Sequence, residues 1–110
     1  MVDRHDQHVE LTEDGRVVGV AAVHPVQDSP VVRAELHVEA GHVPVGTGAR
    51  LVDAVLDLPE TREGCRLEAT VPIGDTESLD RLRDRCDAVE TRPAGATCLV
   101  DATLPAGEER

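Results

Sequence analysis

A glycine-containing turn between a strand pattern and a helix pattern is the part of the sequence best suited to binding an anion. The turn is Gly46-Thr47-Gly48, and the helical pattern after it continues to about Leu58. The first N–H groups of a helix have no partner within the helix, and the helix dipole favours negative charge beside them. The sequence therefore predicts an anion site at this turn, but it does not indicate a reaction.

Cysteine and histidine, the other residue types suited to catalysis or metal binding, show no spacing that indicates a site. His5 and His8, with Asp3 and Asp6 beside them, lie at a chain end without helical support, which favours a solvated tail over a metal cluster. We predict no metal site. The cysteines are far apart, have no C-x-x-C spacing and are expected to be small buried residues in a reducing cytosol: Cys65, Cys86 and Cys98.

The composition excludes several kinds of partner. Acidic residues outnumber basic ones 22 to 11, and a net charge of -11 repels nucleic acid and anionic membranes. Ring stacking on a base or sugar is excluded because the chain has no Phe, Tyr or Trp, and every basic residue is arginine, which excludes a lysine Schiff base. No signal segment or membrane-spanning run is present, so we expect a cytoplasmic protein.

The periodicity of the apolar residues predicts the element order β-β-β-α-β-α-β-β, without repeats. Strand patterns cover residues 8–13, 16–23, 31–39, 65–73, 88–92 and 96–104, and Asp14-Gly15 predicts a tight hairpin turn between the first two. Helical patterns cover about 47–58, ending at Pro59, and about 76–86. Glu77 falls in the first turn of the second helix, where the dipole favours its charge.

Several strand patterns have apolar residues on one side and charged residues on the other. We therefore predict an α+β fold in which a mixed, mostly antiparallel sheet has two helices on one face and water on the other. The first helix should connect two parallel strands, and the turn then lies at their carboxyl ends, where ligands of such sheets bind. We predict one domain over residues 8–104, a loose segment at 1–7 and a charged tail at 105–110.

The element order and the residues around the turn resemble the GNAT N-acetyltransferase family. The resemblance covers roughly residues 8–104 and is carried by one stretch, Val38-x-Ala40-x-x-Val43-Pro44-x-Gly46-x-Gly48-x-x-Leu51. In that family the equivalent stretch wraps the pyrophosphate of acetyl-coenzyme A. The resemblance therefore implies that an acetyl-CoA or other acyl-CoA binds here, through Val43, Val45, Gly46, Thr47, Gly48, Ala49 and Arg50.

The sequence departs from the family pattern at several positions. Val43 stands where the family usually has Arg or Gln, and Pro44 has no N–H to donate. The family often uses a Tyr on the last helix as general acid; this chain has no Tyr, and Cys86 lies near that place. The strand and two helices with which the family normally begins are expected to be missing, which agrees with the polar strand faces.

The resemblance also implies a general base near the third strand. Glu35 and Glu39 are the candidate catalytic residues, with His37 and His42 close by, although a carboxylate on a strand surface is more often only solvated.

Two functions are open at this point. One is an N-acyltransferase domain that binds an acyl-CoA, with a partner subunit or a second copy completing the acceptor site. The other is a non-catalytic interaction or regulatory module on the same scaffold, since fold alone does not determine activity.

Overall fold

The computed structural model describes residues 6–39 and 43–105. Its elements are β1 (Gln7–Glu13), β2 (Arg16–Pro25), β3 (Val31–Val38), α1 (Thr47–Leu56), α2 (Pro59–Arg62), β4 (Arg66–Pro72), α3 (Thr76–Arg85), β5 (Asp87–Ala94) and β6 (Thr97–Thr103). The predictions that involve His5, Ala40, His42, most of the loose segment and most of the charged tail lie outside the described residues. The division into segment, domain and tail stays a prediction.

The strands form one six-stranded sheet in the order β1-β2-β3-β4-β6-β5. The pair β3–β4 is parallel, and the other neighbouring pairs are antiparallel. The mixed, mostly antiparallel sheet predicted from the sequence is confirmed. The hairpin turn between β1 and β2 is also confirmed, because Asp14 and Gly15 both have positive φ values, of 54° and 78°.

The core lies between one face of the sheet and helices α1 and α3. It is built mainly from aliphatic side chains, because the chain has no Phe, Tyr or Trp, and alternate residues of the strands point into it. Its buried members are Ala21, Val23, Val32, Ala34, Leu36, Leu51, Val52, Val55, Leu56, Leu67, Ala69, Val71, Leu82, Cys86, Cys98, Val100, Ala102 and Leu104.

The opposite face of the sheet is polar and exposed. On β3, Arg33, Glu35 and His37 alternate with the buried residues, and the Nε of Arg33 lies 3.0 Å from the Oε1 of Glu68 on β4. We call this surface, formed by the residues of the central strands that point away from the helices, the open face. The prediction of helices on one side and water on the other is confirmed.

The observed elements differ from the predicted ones in several details. Strand β2 continues two residues beyond its predicted end. The chain after Leu58 forms the short helix α2 rather than a loop, because Pro59 occupies the first helical position, where its missing N–H costs nothing. Helix α1 ends at Leu56, two residues before the predicted end. Strand β5 continues through Pro93, which an edge strand tolerates, and the turn falls at Gly95 with a φ of 65°.

None of the helices within residues 6–39 and 43–105 has the length and apolar character that a bilayer crossing requires.

Candidate functional site

The two parallel strands separate at their carboxyl ends. Strand β3 pairs with β4 from Val31 opposite Arg66 to Glu35 opposite Thr70. Beyond Glu35, β3 continues to Val38 alongside β2, whereas β4 continues to Pro72 alongside β6. Within the described residues, no pairing joins the last part of β3 to the last part of β4. A gap therefore opens at this edge of the sheet, and the chain after β3 leads to α1 from the same edge.

The turn before α1 is fixed by the backbone of Gly46 and by hydrogen bonds of Thr47. Gly46 has a φ of 92°, in the left-handed region that favours glycine. The hydroxyl of Thr47 donates to the carbonyl oxygen of Pro44 at 2.6 Å, and the N–H of Thr47 donates to the same oxygen at 3.2 Å. Thr47 is fully buried. The turn thus holds the start of α1 in place without a side-chain cap of its own.

Two N–H groups of this turn that have no partner within α1 donate hydrogen bonds to a carboxylate from another helix. The N–H of Gly46 donates to the Oε2 of Glu77 at 2.8 Å, and the N–H of Gly48 donates to its Oε1 at 3.3 Å. We call the Gly46 and Gly48 amides the amide cradle. Glu77 belongs to the first turn of α3, as predicted, but its carboxylate crosses to the N-terminus of α1. The cradle therefore accepts an anion, and that anion is part of the chain.

The N-termini of α1 and α3 are in close contact at the cradle. A Cβ added to Gly48 would lie 2.7 Å from the Oγ of Ser78 and 2.9 Å from the Oδ1 of Asp75. Any larger residue at position 48 would therefore force Ser78 or Asp75 to shift. Asp75 caps α3, since its carboxylate accepts from the N–H of Ser78 at 3.1 Å and from the hydroxyl of Ser78 at 2.7 Å.

The two helices lie side by side and run in the same direction. At their far ends, Arg85 of α3 donates to the Oδ1 of Asp53 at 3.1 Å and to the Oδ1 of Asp57 at 3.2 Å. Burial alone would lower the pKa of Arg85, but its hydrogen bonds and charge contacts with the two aspartates raise that pKa above the usual value. Arg81 also lies 3.7 Å from Asp53. Arginines of α3 thus pair with aspartates of α1.

Comparison with known proteins identifies the architecture. No family model and no curated protein matches the sequence. Among solved structures, an acetyltransferase of the GNAT family from Streptococcus pneumoniae matches with a TM-score of 0.65 and 11% identity, over 94% of this chain and 69% of that one. The chain has the GNAT fold. The ribosomal-protein-alanine N-acetyltransferase from Brucella melitensis matches with a TM-score of 0.64 and 16% identity, over 91% and 69%.

A third solved structure with the GNAT fold was determined with its cofactor. It is a putative acetyltransferase from Salmonella typhimurium with acetyl-CoA, and it matches with a TM-score of 0.63 and 17% identity, over 94% of this chain and 66% of that one. The chain thus spans about two thirds of the length of these structures. At such identities the likeness establishes the fold alone.

The residues that the resemblance assigned to the cofactor lie around the turn, but they differ in exposure and in the direction of their side chains. Val43 is half-buried, whereas Val45 is 96% exposed. Ala49 is half-buried on α1, and the side chain of Arg50 turns toward the β1–β2 hairpin, where its Nη2 lies 3.5 Å from the Oε1 of Glu13. Gly46 and Gly48 contribute the amide cradle. The assignment of these residues to a cofactor stays a prediction.

The candidate catalytic carboxylates lie on the other side of the sheet from the helices. Glu35 is exposed on the open face, at the last pair of residues before β3 and β4 separate. It lines a shallow cleft of ≈ 360 Å³ together with Thr70, Arg92 and Leu99. Glu39 is exposed after the end of β3, and its Oε2 lies 3.6 Å from the Nε2 of His37. Their catalytic roles also stay predictions.

Cys86, which lies near the place of the family's general acid, is part of the core. Cys86 is 6% exposed at the end of α3, and burial raises the pKa of its thiol. The thiol is packed among core side chains and has little access to a ligand, which suits a core residue better than a general acid. Cys98 is likewise buried, whereas Cys65 is exposed, contrary to the expectation that all three are buried; all three are free thiols.

Sequence reasoning placed Glu77 in the first turn of α3 but missed its contact with the amide cradle. A signal for it was available. Asp75 and Glu77 follow β4 directly, and the carboxyl ends of neighbouring parallel strands meet at the same edge of the sheet. That rule places the start of α3 beside the start of α1.

Proposed function

We propose that the chain binds an acyl-coenzyme A where β3 and β4 separate and transfers the acyl group to an amine. The observation that supports this best is the coincidence, at one edge of a GNAT fold, of the strand gap and the amide cradle. Solved structures with this fold have been determined with acetyl-CoA or with coenzyme A, from Salmonella typhimurium, Campylobacter jejuni and Paenibacillus lautus.

The donors at the turn fit an anionic group. Two backbone N–H groups already bind the two oxygens of one carboxylate, and phosphate oxygens accept the same kind of hydrogen bond. Two features weaken the fit. Val43 and Pro44 replace a charged donor and a backbone donor, and a lost charged contact costs about 1.5–3 kcal/mol. The net charge of -11 also opposes a polyanion.

In this proposal, a bound acyl-CoA supplies an acyl group that is already activated as a thioester. The chain supplies position and proton transfer. The amide cradle would hold the diphosphate, and Glu35, on the open face beside the strand gap, would take the proton that an amine acceptor gives up. The new C–N bond would replace the C–S bond of the thioester, and coenzyme A would leave as a thiolate that takes a proton from solvent. The acidic surface favours cationic amines, because its field attracts them. Glu39 is the second carboxylate suited to this role.

The proposal is tested by titrating ¹⁵N-labelled protein with acetyl-CoA and, separately, with S-acetylpantetheine, which lacks the diphosphate. We expect acetyl-CoA to shift the amide signals of Gly46, Thr47 and Gly48, and S-acetylpantetheine to leave them in place. In an assay with amine acceptors, Glu35→Gln should lower turnover by about 10²–10⁴-fold. Glu10→Gln is the matched control on β1 and should not change it. No shift with millimolar acetyl-CoA, either in wild type or in Glu77→Ala, in which the two cradle amides are released, would rule the proposal out.

The second candidate function is a non-catalytic interaction module. It is favoured by one observation, that Glu77 satisfies the amide cradle without any ligand. A module of this kind keeps the fold and ignores both compounds in the titration.

A further inference from the structure

We propose that Glu77 is a built-in competitor for the amide cradle, so that an anionic ligand binds only after this side chain leaves. The inference rests on the proposed function, because it concerns the same site. The carboxylate makes a two-point contact, with one oxygen on each cradle amide, at 2.8 and 3.3 Å. Two oxygens of a phosphate group would need the same two donors. The ligand and Glu77 therefore exclude each other.

Helix α3 does not need the Glu77 carboxylate to complete its own N-terminus. Asp75 already caps it, accepting from the N–H and the hydroxyl of Ser78. Glu77 can move without leaving that helix uncapped. The cost of opening the cradle therefore falls on the contact with Gly46 and Gly48 and not on the folding of α3.

A displaced Glu77 has a partner within reach on its own helix. Arg81 follows it by four residues, the spacing at which a glutamate pairs well with a following basic residue on a helix surface. In the closed arrangement Arg81 makes only a long contact with Asp53, at 3.7 Å, whereas Arg85 holds the same oxygen at 3.1 Å. Arg81 can turn toward Glu77 while Arg85 keeps Asp53 paired.

The closed cradle lowers the apparent affinity in proportion to the fraction of molecules in which it is open. Minor states of proteins are commonly populated at roughly 0.1–10%. Removing the competing carboxylate should therefore tighten the binding of a diphosphate ligand by about tenfold or more. The effect should be confined to ligands that use the cradle.

The experiment compares wild type, Glu77→Ala and Glu77→Gln by NMR titration with acetyl-CoA, inorganic pyrophosphate and S-acetylpantetheine. Asp84→Asn is the matched control, since Asp84 is exposed on α3 and its replacement makes the same change in net charge. We expect Glu77→Ala to bind the two diphosphate compounds about tenfold tighter or more and S-acetylpantetheine unchanged. Asp84→Asn should behave like wild type. If the alanine variant does not fold, Glu77→Gln takes its place in this comparison.

The hydrogen exchange of Gly46 and Gly48 without ligand gives a second readout. Both amides should exchange faster in Glu77→Ala than in wild type and Asp84→Asn. If these amides exchange at the same rate in Glu77→Ala and in wild type, the inference is wrong, whatever the titrations show. If wild type and Glu77→Ala bind acetyl-CoA equally, the inference fails and the proposed function stands. If no variant binds either diphosphate compound, the proposed function fails and the inference fails with it.

Discussion

The N-termini of α1 and α3 lie against each other, yet their backbone N–H groups are satisfied in different ways. Helix α3 carries its own cap, Asp75, three residues before the amide that it accepts from. Helix α1 begins at Thr47, after the N-cap residue Gly46, and has no acidic residue in its first turn. The amides at its start bind Glu77, which is 31 residues from Gly46 and 29 from Gly48. A local cap forms with its helix, whereas a remote one depends on tertiary packing and can be exchanged for a ligand.

The largest effect is expected from forcing the two N-termini apart. In Gly48→Ala the new Cβ would meet Ser78 and Asp75 at 2.7 and 2.9 Å, and overpacking of this kind costs about 1–3 kcal/mol. We expect the urea midpoint, followed by circular dichroism, to fall accordingly. Gly19→Ala is the control, because its Cβ would make only an ordinary contact of 3.5 Å, and its stability should change by less than about 1 kcal/mol. Equal midpoints for Gly48→Ala and wild type would show that the helices are further apart in solution.

An intermediate effect is expected from removing the local cap. Asp75→Ala should lower the free energy of unfolding by about 0.5–2 kcal/mol, the usual cost of a lost N-cap. The amide of Ser78 should exchange faster, while Gly46 and Gly48 keep their protection, because Glu77 still binds them. Asp84→Ala, at an exposed position of the same helix, should leave the stability nearly unchanged. If the protection of Gly46 were lost together with that of Ser78, the two ends would not be independent.

The smallest effect is expected at the far ends of the two helices. Arg85→Met removes the contacts with Asp53 and Asp57, whose side chains are 37% and 62% exposed, so the cost should be about 0.2–1 kcal/mol. The difference from wild type should shrink at high salt, because ions screen exposed pairs. Arg83→Gln, which removes an exposed 3.7 Å contact with Asp80, is the control and should have almost no effect. A difference that does not change with salt would mean that Arg85 acts through packing.

The sheet and its two longer helices were predictable because each pattern is local. Alternation along 31–39 and the apolar spacing in α1 indicate which side chains are buried, and the order of elements then restricts the topology. The element order and the stretch from Val38 to Leu51 together suggested the fold. Helix α2 was not predictable, since a single turn that starts at Pro59 has no periodicity to reveal it.

The occupation of the cradle could be predicted only in part. The meeting of the two helix starts follows from the parallel pairing of β3 and β4. The direction of the Glu77 side chain does not, because the contact joins residues far apart in the chain. The cradle itself was expected from Gly46 and Gly48, whereas its occupant was visible only in the structure.

The aliphatic core has a practical consequence for following ligands. Because the chain contains no Trp, Tyr or Phe, it is almost transparent in the near ultraviolet and has no intrinsic fluorescence to report on folding. If the protein bound a ligand that contains adenine, nearly all of the absorbance in the adenine band would come from that ligand. Analytical ultracentrifugation with absorbance detection at this band would then follow the ligand alone. It would separate free ligand from ligand that sediments with the protein, without any label.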